Sequence, residues 1–553
     1  MSCSVTSSVS MFNGVPTLFI NQKPCEGAAY ITYYTHKNDY ALFAEEGYKL
    51  FSMPVFFAGR SINAVTGIPP FGPGIFDDKN TPDFSTFDDD VNKILSARPD
   101  AYIFPRVNMS LPLWWDQENP DELNDEGFRN EKRPCFSSKK WAEETKRMLK
   151  IFIEHVEQMP YKNHIIGYQL AGGNTEEWIS FDQKGSIGKR SREAFKEYAE
   201  NNGLEENESE YYHFLSYIVA KSICDFCAYV KELTDNRLVM GAFYGYTLEL
   251  AKRSTCHHAL QTILESDSVD FICSPVSYDN LRKPTRDHAN MLPIDSLKLH
   301  NKLYFVENDT RTDLTGPPND LPYYNNAVWQ GPERKITLEI LKMHFSRALC
   351  HGHAFWWFDM WGHWYNAPEY IDFMTKSLEI KKESLNKNLK SNSKLAVFVD
   401  ERSVDGIPDE SNVPQQVFYE IRRALGKTSV PYDIYLMTDF ERVKDNYKAI
   451  IFLVPERTEL LDKAEEMTEN YLEINASNYD ITTDELRAFI KKQGVKPYFE
   501  KDCVVYENES YLFIHTCTAG EYNFDIKLRD AFTKKEIGTL DLSGGQSVLM
   551  EKI

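Results

Sequence analysis

From Ala28 to about Ser384 the chain alternates short, continuous apolar runs with longer amphipathic stretches. The apolar runs are AAYITYY, LFSMPVFF, AYIFPRVNM, HIIGYQLAGG, RLVMGAFYGY, VDFICSPVSY, KLYFVEN and HAFWWFDMW. A helical pattern follows each, from KNDYALFAEEGYK after the first to PEYIDFMTKSLEIKKES after the eighth. Strands without polar alternation are expected where both sheet faces are buried. Alternation of strand and helix implies a parallel sheet with crossover helices. Eight such units predict a closed (β/α)8 barrel, a TIM barrel, better than an open doubly wound sheet.

After the polar linker ESLNKNLKSNSK the pattern restarts. KLAVFVDER, PYDIYLM and YKAIIFLVP are strand-like and VPQQVFYEIRRALGK is helical, which predicts a small flavodoxin-like α/β unit. It has neither GxGxxG nor P-loop glycines, so no nucleotide is expected there. A helix, TDELRAFIKKQG, then leads into short alternating segments that predict a small antiparallel, β-sandwich-like domain. The expected domains are 1–384, 393–480 and 481–553.

Composition narrows the function. Lys plus Arg total 62 against 83 Asp plus Glu, a formal charge of -21. That excludes nucleic acid and anionic membranes as expected partners, since both require clustered cations. No run approaches the roughly 18 apolar residues of a membrane helix. The N-terminal MSCSVTSSVSMFNGVPTLFI lacks a charged start, a long apolar stretch and a small-residue cleavage site. The 10 cysteines are scattered without a disulfide framework, so a cytoplasmic location is expected. Cys224 and Cys227 form a CxxC pair inside an apolar helical run, where a structural role is expected. Aromatics reach 13%, with 9 Trp, 31 Tyr and 34 Phe, which suits either a large core or a site for the flat apolar faces of a sugar.

In a barrel of this kind the chemistry sits where strands end. The fourth strand runs into Asn174-Thr175-Glu176-Glu177-Trp178, and the seventh into Glu307-Asn308-Asp309-Thr310-Arg311. Two carboxyl groups across a barrel mouth are the minimum equipment for cleaving a glycosidic bond, one as proton donor and one as nucleophile or base. A second carboxylate or an aromatic neighbour raises the pKa of the donor, and the Glu176–Glu177 pair beside Trp178 offers both. Arg106 at the third strand's end, Asn174, Tyr278 after the sixth and Arg311 are candidate polar contacts to substrate. Tyr278 is also placed to hydrogen-bond the nucleophile, and Tyr244 or Tyr246 to line the pocket. Trp115 is a candidate sugar platform; of Trp356, Trp357, Trp361 and Trp364 around the eighth strand some must be barrel core, and Trp361 and Trp364, beyond the strand, are the better candidates. His351-Gly-His353 precedes the eighth strand, at the structural end of the barrel, and His257-His258 opens a helix with no carboxylate at ligand spacing. Neither a catalytic metal nor a cofactor is expected.

These segments resemble the clan of retaining glycoside hydrolases that carry the acid/base after strand four and the nucleophile after strand seven. IIGYQLAGGNTEEW is similar to the GW-x-x-x-NE segment of the family 42 β-galactosidases, and KLYFVEND to their FWLMEQ segment. The order of barrel, flavodoxin-like domain and β-domain is similar too, and is shared by the family 164 β-mannosidases. The resemblance implies Glu307 as nucleophile and Glu177, or alternatively Glu176, as acid/base. The chain departs from the pattern in one place: Thr175 separates Asn174 from Glu176, whereas the family's Asn directly precedes its Glu and contacts the sugar 2-hydroxyl. The resemblance further implies a retaining, exo-acting β-glycosidase that removes terminal sugars from oligosaccharides or glycosides, and a homotrimer built through the flavodoxin-like domain. β-Galactosidase is the first expectation and β-mannosidase the second. A catalytically silent sugar-binding barrel is the alternative from another class, and a metal-dependent barrel hydrolase the alternative enzyme.

Overall fold

The computed structural model describes residues 4–61, 70–124, 132–180, 189–278, 282–315 and 333–553. The segment AGRSINAVTGIPPFGPGIFDDKNTPDF after the second strand is long and rich in Gly and Pro, as expected of a loop at the active-site end, and its residues 62–69 lie outside this description.

All eight expected strands form one parallel sheet. They are Ala28–Ile31, Leu50–Ser52 continued by Pro54–Phe56, Tyr102–Ile103 continued by Arg106–Asn108, Gly167–Ala171, Val239–Phe243, Phe271–Pro275, Leu303–Asn308 and Ala354–Phe358. Each pairs with the next. The ring closes where Phe355 of strand eight pairs with Ala28 of strand one. The split second strand joins both ends of the sheet, since its first half pairs with strand one and its second with strand three. The uninterrupted apolar composition follows from this closure: AFWWF of strand eight is buried at every position, inward against the barrel axis or outward against the helices. A layer of rings fills the barrel, with Phe305 at 5.2 Å from Phe104 and 4.9 Å from Trp356 between centroids.

The helices cover the outside with one apolar face. In Lys139–Gln158 the buried Trp141, Thr145, Met148, Leu149, Phe152 and Val156 recur at helical spacing. The helix starts where the Ser138 side chain accepts a hydrogen bond from the Trp141 amide. Cys224 and Cys227 lie well inside the helix Glu208–Leu233, as their apolar setting implied. The stretch HHALQTILES is helical only over Leu260–Leu264, so His257 and His258 precede the helix rather than open it. The physical reason is a cap from elsewhere in the chain. The Glu401 carboxylate accepts the Leu260 and Gln261 amides at 2.7 and 3.1 Å and fixes the helix start there.

An antiparallel hairpin, Ser7–Phe12 with Val15–Ile20, precedes the barrel and was not expected. Asn13 and Gly14 turn it with φ of 50° and 91°. It covers the N-terminal ends of strands four and five, where the Ser7 amide donates to Arg237 O at 2.8 Å and the Val239 amide to Ser7 Oγ at 2.9 Å. The hairpin thus covers part of the barrel's lower end, opposite the strand ends that carry the candidate site.

Leu395–Val399, Tyr432–Leu436, Ala449–Leu453 and Tyr471–Ile474 build a four-stranded parallel sheet, one strand more than the pattern predicted. It docks on the barrel's side through polar contacts, among them Ile434 N to Asp295 Oδ2 and Leu436 N to Ser296 Oγ, both 2.8 Å. The C-terminal segments form a five-stranded and a two-stranded antiparallel sheet. Among the described residues no helix is long and apolar enough to cross a membrane, and the nine described cysteines are free thiols.

Gly241 in strand five has no room for a side chain, because a Cβ there would overlap the Phe271 ring. Gly241→Ala is expected to lower unfolding stability by about 1–3 kcal/mol through overpacking. Urea denaturation checks this, and an unchanged midpoint would contradict the packed barrel interior.

Candidate active site

The strand ends converge on one guanidinium. Arg106 opens the second segment of strand three rather than ending the strand, and is 1% exposed. Its Nη2 donates to Glu307 Oε2 at 2.6 Å, its Nε to Gln169 Oε1 at 2.9 Å and its Nη1 to the Tyr33 hydroxyl. Strand pairing sets this up, since Arg106 lies opposite Gln169 in the register. The cation also lies over the faces of Tyr33, Phe243, Trp356 and Phe358, 4.6 to 5.5 Å from their centroids. Trp356 faces Glu307 across the strand seven–eight register, and its Nε1 donates to the same Oε2 at 3.0 Å. Burial pushes the Glu307 pKa up and nearby Asp309 adds to the rise, while Arg106 opposes both. A carboxylate with a cation and an indole N–H on one oxygen keeps the other oxygen available to an electrophile.

Strand four ends in a tightly reversed loop. The Asn174 amide donates to Ile179 O at 2.8 Å and the Trp178 amide to Gly172 O at 2.7 Å. Between them Thr175, Glu176 and Trp178 adopt φ of 58°, 65° and 61°, the left-handed region that costs most for a β-branched residue such as Thr175. Strain of this kind persists only where surrounding contacts hold it. The Glu176 carboxylate accepts from Asn108 Nδ2, with the Tyr33 hydroxyl at 3.5 Å. The Glu177 carboxylate accepts from the Tyr246 hydroxyl at 2.9 Å and from Thr175 Oγ1 at 2.6 Å. Glu176 is 1% exposed, whereas Glu177 is half-buried. Burial raises both pKa values to about 7. Arg106 opposes the rise at Glu176, and the field of Glu307 adds to it at Glu177.

Other expected residues lie elsewhere in detail. Trp178 does not shield Glu177. Its ring turns outward against Phe136 and Phe226, and its Nε1 donates to Leu170 O at 3.0 Å. The apolar pull of the helix layer wins there, and Tyr246 takes the place beside Glu177. The Tyr278 hydroxyl donates to Asp309 Oδ2 at 2.8 Å rather than to Glu307, whose Oε2 is bonded by Arg106 and Trp356. Asp309 forms an ion pair of 2.5 Å with the buried Arg282. Asn174 is buried, and its Oδ1 has no hydrogen-bond partner among the described residues. Arg311 lies over the Trp361 ring at 4.6 Å, and Trp361 packs edge-on against Trp364 at 5.0 Å. Trp115, Trp361 and Trp364 are 4%, 5% and 1% exposed, so their rings are largely enclosed by protein. Of the two tyrosines after strand five, Tyr246 reaches the site, while the Tyr244 hydroxyl donates to Ser216 O and Cys256 O. His257 lies beneath, its ring 4.8 Å from that of Tyr246, and burial lowers its pKa to about 3. Among the described residues no group of three or more His, Cys, Asp or Glu has the arrangement of a metal site.

The sequence reading missed Tyr33, Asn108, Gln169 and Asp309, and it did not single out Trp356, which packs in the core and also donates to Glu307. Their signal was positional: each lies at or near the mouth end of a barrel strand, and Gln169 is a polar interruption in an apolar run.

No protein-family model matches the sequence, and no curated protein matches it. Solved structures do resemble it in fold. The β-galactosidase from Bacillus circulans sp. alkalophilus shares 13% identity at a TM-score of 0.64, over 95% of this chain and 98% of that one. A catalytic mutant of a GH42 β-galactosidase from G. stearothermophilus shares 11% at 0.66, over 99% of both chains. The cold-adapted β-galactosidase from Rahnella sp. R3 shares 10% at 0.63, over the whole of both. The expected architecture, a TIM barrel followed by an α/β unit and a β unit, is thus the fold of these proteins over their full length.

Two buried carboxyls with pKa values near 7 make stability depend on pH with a definite sign. A carboxyl raised on folding contributes fully below its unfolded pKa and loses that contribution as pH rises through the folded value. Glu176→Gln and Glu177→Gln remove the buried anion. Each is expected to raise Tm by roughly 1–3 °C at pH 8 relative to the parent and by less than about 1 °C at pH 5. Thermal scans at both pH values check this, and a loss of Tm at pH 8 would contradict the burial assigned to these groups.

Proposed function

We propose that the protein is a retaining, exo-acting β-glycosidase, β-galactosidase-like in substrate, with Glu307 as nucleophile and Glu177 as acid/base. One observation carries the reading. A carboxylate braced by Arg106 and Trp356 shares a barrel mouth with a carboxyl whose pKa is raised to about 7. Arg106 opposes protonation of Glu307, and Glu177 keeps its proton up to about pH 7 for donation, the two roles that glycoside cleavage requires.

In the first step Glu307 attacks the anomeric carbon as the glycosidic C–O bond breaks, and the Glu177 proton passes to the leaving oxygen. In the second, Glu177 takes a proton from water, whose oxygen displaces Glu307 from the sugar. Glu177 is favoured over Glu176 because it is half-buried at the mouth and lies in the field of Glu307, while Glu176 is enclosed and tied to Asn108. The unpartnered Asn174 Oδ1 is suited to accept from a sugar hydroxyl, as the resemblance to family 42 implies. In the same reading Arg106, Tyr278 and Arg311 supply polar contacts and Trp115, Trp361 and Trp364 the apolar wall. The same resemblance supports a homotrimer, and the free thiols of the described cysteines fit a cytoplasmic location.

A panel of p-nitrophenyl α- and β-glycosides is expected to give turnover on β-anomers, with β-galactoside ahead of β-mannoside. Glu307→Gln is expected to lower kcat by about 10⁴-fold or more, and Glu177→Gln more than Glu176→Gln on substrates with poor leaving groups. The kcat/KM profile should be bell-shaped, falling at high pH as Glu177, with its pKa of about 7, loses its proton. Proton NMR of the first product should show the β-anomer. Turnover unaffected by Glu307→Gln, or an α-anomeric first product, would refute the assignment. Sedimentation velocity is expected to show a species of three chains, and a monomer would remove the trimer from the reading.

A further inference from the structure

We infer that the second α/β unit is part of the active-site machinery, with Arg422 as a positioning residue that holds the end of strand six, and so Tyr278, beside the nucleophile. The inference rests on the glycosidase reading for its catalytic consequence, though not for its physical core.

Arg422 belongs to the helix Ile421–Leu425, which continues a single π-wound turn over Gln415–Glu420. Turns of this kind shift the helix register and often re-aim one side chain. Arg422 is 2% exposed and crosses into the barrel. Its Nη1 donates to Asn290 O at 2.7 Å, and its Nη2 to Glu249 Oε2 at 2.6 Å and to Ser277 Oγ at 2.9 Å. Ser277 and Asn290 flank the short ladder by which the strand-six end is tied down. The Ser277 amide donates to Ala289 O at 2.8 Å, and Val276 bridges Asn290. Glu249, which follows strand five, uses its other oxygen to accept the Tyr278 amide at 3.0 Å.

The contacts form a continuous line. Arg422 holds Glu249 and Ser277, Glu249 holds the Tyr278 backbone, and the Tyr278 hydroxyl donates to Asp309, two residues after Glu307 and just past the end of strand seven. Arg282 closes the far side. It lies over the Tyr278 ring at 4.5 Å and donates to Val276 O at 2.9 Å and Thr310 Oγ1 at 2.9 Å. A buried ion pair between two units is a poor adhesive, because desolvating both charges offsets most of their attraction. Apolar side chains would hold the units together as well. What the pair supplies is direction. The three acceptors of Arg422 lie at the strand-six end, opposite it in the bridge, or on the side chain that grips Tyr278.

Hydrogen exchange followed by mass spectrometry, together with kinetics on an aryl-β-glycoside, tests this in Arg422→Met, Arg422→Lys, Glu249→Gln and the double variant Arg422→Met/Glu249→Gln. The double variant leaves no unpaired buried charge and guards against simple misfolding. Exchange in peptides ending at Ser277 and Tyr278 is expected to accelerate by at least about tenfold in Arg422→Met, with strand three unchanged. The kcat is expected to fall by about 10–100-fold with KM within about threefold, the signature of misplaced rather than missing contacts. Arg422→Lys should recover part of the loss. The double variant should be no worse than Arg422→Met alone, since both residues act through one line. Unchanged exchange at the strand-six end, acceleration spread evenly over the barrel, or additive losses would overturn the inference. If the parent turns over no glycoside, the glycosidase reading falls while the exchange pattern alone decides whether Arg422 holds Tyr278.

Discussion

The structure depends on solvating one buried cation with protein. Arg106 has almost no access to water, so each of its donors must be met by a side chain and its faces by rings. The segment just after strand one supplies Tyr33, strand four Gln169 and strand seven Glu307, while strands five and eight supply Phe243, Trp356 and Phe358. A single guanidinium on strand three therefore fixes the relative positions of five other strands at the mouth. The location of Glu307 follows from this demand, because the carboxylate is the counter-charge without which the cation would not be tolerated there.

The opposite wall obeys a different constraint. Burial raises Glu176 and Glu177 as it raises Glu307, but their hydrogen bonds come from neutral donors. The loop that presents them is conformationally costly, with three non-glycine residues in the left-handed region. Asn108, Thr175 and Tyr246 hold it by hydrogen bonds to the two carboxylates. The insertion of Thr175 relative to the family 42 pattern is thus accommodated by backbone reversal, and Thr175 is itself used as a donor. Between the two walls, the strand-six end is shaped partly from outside the barrel, through a side chain of the second α/β unit.

The barrel was legible because burial on both faces writes continuous apolar runs, and all eight appear where those runs lie. The helix after strand five was overread, because the capping carboxylate of Glu401 comes from a distant part of the chain and no local pattern announces it. The N-terminal hairpin carried a local signal, Asn13-Gly14 between two alternating segments, but it lies outside the strand–helix rhythm. At the site, glutamates and arginine at strand ends could be picked out as residue types. The roles of Trp356 and Asp309 could not, since an indole reads as core until register places it opposite Glu307, and an Asp in a polar cluster reads as surface until Arg282 is found beneath it. Trp178 shows the same limit in reverse: adjacency in sequence to Glu177 says nothing about which side of the loop its ring takes.

Strand one is laid down early in synthesis and has its final partner only in strand eight, where Phe355 meets Ala28. Until residues 354–358 have emerged, Ala28–Ile31 presents an unpaired row of amides and carbonyls on one side, and every nascent length of the barrel ends in a second such edge. Open parallel edges of this composition recruit other strands, including those of a neighbouring copy. The nascent chain thus carries an aggregation hazard for most of its translation, relieved in one event when the cylinder shuts. Translation pauses within the barrel, and chaperones able to hold an open sheet, therefore bear on the yield of this fold more than on its final stability.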